Sequence, residues 1–315
     1  MKSVFAKDIK AGDRVKELFL IADKNLAHSQ KGMPYLNVKI KDKTGEIVCK
    51  VWDKAVELDG ACQKGEVAFI TGLASTYKGL IQLTINDIVP VSADKFESED
   101  FFPTAKRDIE EMFAELMTII DSVENVYLQP LLKSFFDDDA IARQFKKTPA
   151  AKGMHHTPIG GLLEHTLCVA NLLNKIVTFY PSLNRDIVLT GGILHDIGKI
   201  RELSFGSLVE YTTEGRLIGH IVIGLEMLNS KIALIENFPE NLSLELRHIM
   251  LSHHGEFEFG SPKRPKTKEA LIIHQVDDMD AKLNAFEESI NNSDEALSWT
   301  PYHRLLERFI YKGGV

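Results

Sequence analysis

Cysteine is nearly missing from this chain of 315 residues: Cys49, Cys62 and Cys168 are all it has, with no paired spacing and no CxxC. That excludes a disulfide framework and leaves the thiols as small apolar groups in a reducing compartment. Also missing is any run near the roughly 20 apolar residues that a membrane helix requires. Residues 1–15 alternate charged and apolar side chains too closely to hold a signal-peptide core. No membrane partner and a cytoplasmic address are therefore expected. A basic excess is lacking as well. The net charge is −8, and residues 1–95 carry +3, residues 96–140 carry −9 and residues 141–315 carry −2. Net charge alone thus offers little pull on a polynucleotide, although carboxylates that bind metal would be neutralised in use. There is no internal repeat and no low-complexity tract.

What is present divides along the chain. Tyr35–Lys41 alternates with period two, placing Leu36, Val38 and Ile40 on one face. The turn residues Asp42-Lys-Thr-Gly45 follow, then Glu46–Trp52, so the pair reads as a hairpin. Further strands are expected near Arg14–Ala22, at Val67–Leu73 and at Leu80–Val89. Five short strands with glycine-containing turns suit a closed barrel of the OB type over residues 1–92.

Beyond Ser92 the pattern changes. A linker around Ser98–Pro103 leads into amphipathic helices over Arg107–Val123, Tyr127–Phe136 and after Asp138, an acidic helical connector over 93–148. From Gly160 the period is helical almost throughout: Leu162–Val177, Asp186–Ile197, Ile221–Ile235, Leu244–Ser252, Lys268–Phe286 and Tyr302–Tyr311. The fold class is multidomain α+β: a five-stranded OB-like barrel followed by an all-α helical bundle over 149–315.

Histidine is concentrated. Positions 155, 156, 165, 195, 220, 248, 253 and 254 hold eight of the eleven. His165, His195-Asp196, His220, His253-His254 and Asp277 each sit in or at the end of an apolar helical stretch. One histidine on such a face is usually a core residue bonded to backbone. Five of them with two aspartates point instead to ligands projecting inward from facing helices, because buried charge is costly unless paired or metal-bound. Neutral imidazole offers a lone pair at neutral pH.

The order H…HD…H…HH…D resembles the HD-domain phosphohydrolase superfamily over about residues 150–290, with His195-Asp196-Ile-Gly-Lys199 as its most specific signature. The resemblance implies that His165, His195, Asp196 and Asp277 hold one metal, and that Asp196 bridges to a second held by His220 and by His253 or His254. Asp278 and Asp280 lie in neighbouring registers; Asp277 is preferred because Ala270–Asp277 resembles the family's closing helix. Two divalent ions about 3.5–4 Å apart neutralise a phosphoester and activate water. A mixed imidazole and carboxylate set suits Mn, Fe, Co or Ni, with Mg also open, and does not choose among them. Lys199, one turn past Asp196, is placed to meet a phosphate oxygen. His155 and His156, in the loop before the first ligand helix, and Lys263, Arg264 and Lys266, in the basic loop before Asp277, are candidate substrate contacts.

On the barrel, Tyr35, Asn37, Lys39, Lys50 and Trp52 make an aromatic-plus-lysine face of the kind on which bases stack and lysines follow phosphates. The alternative is that Tyr35 and Trp52 close the barrel core. An OB-like barrel followed by an HD domain resembles the YhaM-type bacterial 3'-5' exoribonucleases nearly end to end, through His155-His156, Gly160–His165, His195-Asp196, Ser252–Gly255 and Asp277–Lys282. This resemblance implies a metal-dependent phosphodiesterase that trims the 3' end of single-stranded RNA or DNA, with two divalent ions (Mn2+ foremost) as cofactor and a homo-oligomeric assembly. The competing reading is a nucleotide or cyclic-dinucleotide phosphohydrolase with a regulatory barrel.

Overall fold

The structure, a computed structural model, describes residues 2–92, 95–96, 100–101, 105, 107–151, 159–205, 209–291, 293 and 297–313. His155 and His156 lie outside the described residues. The chain groups into two compact units. One comprises Met1–Lys106, Lys147–Gly161 and Leu203–Tyr211; the other comprises Arg107–Lys146, Leu162–Glu202 and Thr212–Val315. Most of the expected acidic connector therefore groups with the helical bundle.

The first unit is built on a closed five-stranded barrel: β1 (Arg14–His28), β2 (Pro34–Asp42), β3 (Gly45–Val51), β4 (Val67–Tyr77) and β5 (Leu80–Pro90), in the order β1-β2-β3-β5-β4. β2 and β3 pair antiparallel, with Asn37 opposite Lys50 and Lys39 opposite Val48. Closure comes from a parallel seam in which Val48, Cys49 and Lys50 pair with Gln82, Leu83 and Thr84. Period-two alternation sends Leu36, Val38, Ile40, Ile47, Cys49 and Val51 into the core, where they meet Phe19, Ile21, Ile70 and Leu83. Trp52 is thereby left outside, 54% exposed, so the alternative in which it fills the core does not hold. One short helix, α1 (Ala55–Ala61), links β3 to β4; at seven residues, with Gly60 inside it, it left no readable periodicity.

The N-terminal residues are tied to this barrel by two buried acids. Glu17 accepts hydrogen bonds from the backbone of Ser3, Val4 and Leu18 and from the Ser3 hydroxyl, at 2.8–3.1 Å. Asp42 accepts from the Ala6 amide at 2.7 Å and faces the buried Lys2 ammonium at 3.4 Å.

The second unit is helical: α2 (Ile109–Asp121), α3 (Leu128–Phe136), α4 (Asp139–Lys147), α5 (Gly161–Ile176), α6 (Arg185–Leu194), α7 (Lys199–Glu202), α8 (Thr213–Leu217), α9 (His220–Ile232), α10 (Glu240–Ser252) and α11 (Lys268–Asn291). Caps set the starts where the sequence supplies them. Asp108 accepts from the Glu110 and Glu111 amides ahead of α2, and Asn184 from those of Asp186 and Ile187 ahead of α6. Between α7 and α8 the chain makes a short hairpin, β6 (Leu203–Phe205) with β7 (Val209–Tyr211), and the Thr212 amide donates to the Glu202 carbonyl at 2.9 Å across its base.

The expected helix over Tyr302–Tyr311 is not formed. The chain doubles back instead, with antiparallel bridges Trp299 to Tyr311 and His303 to Arg308, and Glu307 takes a left-handed φ of 52°. The Trp299 and Tyr311 rings, 5.0 Å apart, and those of Tyr302 and Phe309, 5.2 Å apart, pair across the reversal. Spacing of three and four residues thus reflects cross-strand pairing here and not a helical face.

Candidate metal centre

α6 is the axis of the site. Every residue from Ile187 to Leu194 is buried, and the pair Gly191-Gly192 lets three helices press against it. A Cβ at Gly191 would lie 2.8 Å from Ile273 of α11 and 2.9 Å from Ile249 of α10, and one at Gly192 would lie 2.3 Å from Leu173 of α5. Absence of those two side chains brings the helices that carry the candidate ligands together around the C-terminal end of α6, where His195 and Asp196 follow directly.

Two groups of three converge there. His165 of α5, His195 and Asp277 of α11 form one; His220 at the first turn of α9, His253 and His254 after α10 form the other. Within each group the ligand atoms lie within 4.8 Å of one another. Asp196 stands between them. Its Oδ2 is 3.3 Å from His195 Nε2 and 3.7 Å from His165 Nε2, while its Oδ1 is 3.6 Å from His220 Nε2 and 3.7 Å from His253 Nε2. Asp277 Oδ1 is 3.2 Å from His165 Nε2.

Each imidazole is oriented by the far side of its ring. His195 Nδ1 meets the Gly192 carbonyl at 2.8 Å, His253 Nδ1 the Met250 carbonyl at 2.9 Å and His254 Nδ1 the Phe259 carbonyl at 2.9 Å. His165 Nδ1 meets the Asp280 carboxylate at 2.7 Å and His220 Nδ1 the Glu202 carboxylate at 3.0 Å. A carbonyl or carboxylate can only accept, so each Nδ1 carries a proton, and in the neutral ring each Nε2 turns a lone pair inward. In the neutral rings, lone pairs and carboxylate oxygens then crowd one space: the rings of His165 and His195, and of His220 and His254, face Nε2 to Nε2 at 3.3 Å. The buried His253 Nε2 has no hydrogen-bond partner among the described residues. Such an orphaned buried acceptor is costly unless a cation takes it, and the donor set fits divalent ions of the first transition row.

Without a cation the electrostatics favour a second proton on His165 and His195, in the place that a cation would take. Burial opposes charge on His165, yet the Asp277 and Asp280 carboxylates overcome it and hold its pKa at about 9. Burial likewise opposes the charge on His195, and Asp196 and Asp277 reverse it. His253 goes the other way, pushed down to about 3 by burial and by His195. Burial works against the Asp196 carboxylate, but Lys199 and His195 keep it well below the ordinary range.

Other expected contacts fall as follows. Lys199 is not directed into open space: its ammonium pairs with Asp196 Oδ2 at 2.6 Å. Arg264 is held by Glu256 at 2.7 Å and lies over the Phe257 ring, whereas the side chains of Lys263 and Lys266 in the same loop are exposed. On the barrel, the rings of Tyr35 and Trp52 lie 5.2 Å apart at 31°, Lys50 sits 4.7 Å from the Tyr35 ring centre and bonds to Asn37, and Lys39 is exposed beside them. The sequence does not single out Glu202, and it raises Asp280 only as a neighbouring register to Asp277. Asp280 was legible in principle, since His274, Asp277 and Asp280 recur every three residues along one face of α11. Glu202 had only its closeness to the His195–Lys199 motif.

Comparison with known proteins matches the HD domain profile to residues 162–282. The 3'-5' exoribonuclease YhaM of Listeria monocytogenes serotype 4b (strain CLIP80459) is 36% identical over 291 residues, 91% of this chain and 91% of that protein. Its namesake in Bacillus subtilis (strain 168) is 33% identical over 282 residues, 89% of each. Among solved structures, a domain of replication protein A from Methanococcus maripaludis is 14% identical, covering 28% of this chain and 94% of that one with a TM-score of 0.25. The HD domain of the L. monocytogenes phosphodiesterase PgpH is 23% identical, covering 47% and 74% with a TM-score of 0.31.

Proposed function

The chain belongs to the YhaM family of 3'-5' exoribonucleases, and from that premise we propose how its residues divide the work of removing nucleotides from the 3' end of single-stranded RNA. It is a divalent-metal-dependent phosphodiesterase, as its HD domain requires. The observation that supports a two-cation site is the placement of Asp196, whose two oxygens face different groups of three ligands.

In this reading His165, His195 and Asp277 hold one cation, His220, His253 and His254 hold the other, and Asp196 is shared. Bound cations, Mn2+ foremost, supply charge neutralisation at the phosphodiester and a water of lowered pKa. The protein's own part is orientation and charge. Five imidazoles are fixed through Nδ1, so no ligand has to be ordered when the substrate arrives. Lys199, held at Asp196, places a positive charge beside the reacting phosphate. Lys263 and Lys266 reach for phosphates further along the strand. Tyr35 and Trp52 stack on bases while Lys39 and Lys50 follow the backbone, a sequence-tolerant grip suited to trimming. DNA single strands fit the same face, because stacking does not read the 2'-hydroxyl. A cytoplasmic location, where RNA ends and free thiols coexist, and assembly into a homo-oligomer complete the proposal.

The deciding assay incubates purified protein with Mn2+ and RNA bearing a single-stranded 3' tail. Mononucleotides released progressively from the 3' end are expected. Turnover of free nucleotides or cyclic dinucleotides with intact RNA would overturn it.

A further inference from the structure

The two groups of ligands are alike in number and unlike in charge. Counting carboxylates that face the Nε2 atoms, the His165 group has Asp277 to itself and a share of Asp196; the His220 group has only its share of Asp196. Three neutral imidazoles and half a carboxylate make a weak holder for a divalent ion. A second carboxylate stands behind each group. Asp280 backs His165 at 2.7 Å and is itself steadied by the Asn284 amide at 3.1 Å. Glu202 backs His220, and its attachment is the more elaborate: the same oxygen, Oε1, accepts from both the His220 backbone amide and His220 Nδ1 at 3.0 Å.

That double contact has a structural cause. α9 begins at His220, and the residue before it, Gly219, has no side chain with which to cap the helix. Glu202 supplies the missing acceptor from another element, so one carboxylate fixes the first turn of α9 and the ring carried on that turn. Glu202 is buried, 8% exposed, and its own backbone is held at both ends, donating to the Gly198 carbonyl at 3.0 Å and accepting from the Thr212 amide at 2.9 Å. The other three rings lean on backbone carbonyls, which orient them but add no formal charge. A carboxylate behind an imidazole raises its basicity as a ligand as well as fixing its orientation.

We propose that Glu202 is a positioning residue that sets the affinity of the cation position formed by His220, His253 and His254, and that Asp280 does the same, with smaller effect, for the position formed by His165, His195 and Asp277. The two positions are thus tuned separately, and the Glu202-backed one depends more on its support because it has less charge of its own. This rests on the two-cation reading above.

The test titrates Mn2+ into the chelator-stripped full chain by calorimetry, with free Mn2+ followed in parallel by its paramagnetic resonance. Two binding steps are expected for the wild type. Glu202→Gln should weaken one step by about 10- to 100-fold and leave the other within about twofold; Asp280→Asn should weaken the other step, and by less. Adding Glu202→Gln to His220→Ala should cost nothing beyond His220→Ala alone, because the carboxylate acts through that ring. Should Glu202→Gln fail to fold by circular dichroism, Glu202→Asp keeps the charge on a shorter arm and should show the same single-step weakening in milder form. Unchanged affinities in the Glu202 variants, or additive losses in the double variant, would overturn the inference while the two-cation site stands. A wild-type chain that takes up no Mn2+ would remove both.

Discussion

The Lys199 ammonium lies 2.6 Å from Oδ2 of Asp196, the oxygen that also faces His195 and His165. Lysine and a cation would therefore draw on the same oxygen, and the two residues part company on mutation. Asp196→Asn should abolish turnover, by about 1000-fold or more, and lower Mn2+ uptake. Lys199→Ala should cut kcat by about 100-fold and leave Mn2+ affinity unchanged or slightly raised, since a competing positive charge is gone. Single-turnover assays on RNA, paired with metal titrations, separate the two outcomes.

Gly198, in the middle of the His195–Lys199 motif, lies against the start of α9. A Cβ there would sit 2.1 Å from the His220 carbonyl oxygen and 2.6 Å from the Gly224 amide nitrogen. Both contacts are backbone, so the helix and not a side-chain tip must move. Gly198→Ala should cost about 1–3 kcal/mol of stability and displace His220. Loss of one Mn2+ step in a chain that still melts cooperatively is the expected pattern.

On the barrel, Trp52→Ala and Tyr35→Ala should each raise KM for single-stranded RNA, since stacking is worth about 1–3 kcal/mol per base. Hydrolysis of a small activated phosphodiester such as methyl p-nitrophenyl phosphate should be untouched. Equal losses on both substrates would place these rings outside strand binding.

Glu17 gives a prediction about acid. Burial works to raise its pKa, but hydrogen bonds from Leu18, Ser3 and Val4 prevail and hold it below the ordinary carboxylate value. A lowered folded pKa means that its stabilisation is present in full above the unfolded value, near pH 4.3, and is lost as the pH falls through the folded value. Glu17→Gln should therefore be less stable at pH 7 by about 1.5–3 kcal/mol. The gap to wild type should close below about pH 4. Thermal denaturation of the full chain across pH 3–8 measures it.

Much of this was legible in the residues, and the remainder was hidden for identifiable reasons. The barrel strands showed because Leu36, Val38 and Ile40 alternate with polar neighbours on a sheet buried on one side. The histidines of the candidate centre stood out because imidazole on an apolar helix is rare and five coincided, and the structure brings them together. α1 was missed because seven residues make too little pattern, and β6 and β7 because three make none. Tyr302–Tyr311 misled because aromatic pairs across a chain reversal reproduce helical spacing. Glu202 was invisible because its importance comes from a backbone amide 18 residues away. Lys199 stands one turn past Asp196 in the sequence, but its pairing with the Asp196 carboxylate depends on a side-chain path that spacing alone does not give.

The parallel seam between β3 and β5 is only three residue pairs long, against seven and ten for its antiparallel neighbours β2–β3 and β4–β5. Breathing of the barrel should begin there, and amide hydrogen exchange along Val48–Lys50 and Gln82–Thr84 should outpace that of the other strands. Lys50 belongs to the proposed stacking face, so the surface proposed to grip a strand is built on the shortest junction of the barrel. A polynucleotide bound across it would act as a staple, slowing exchange along these two segments before any other change in the barrel is seen.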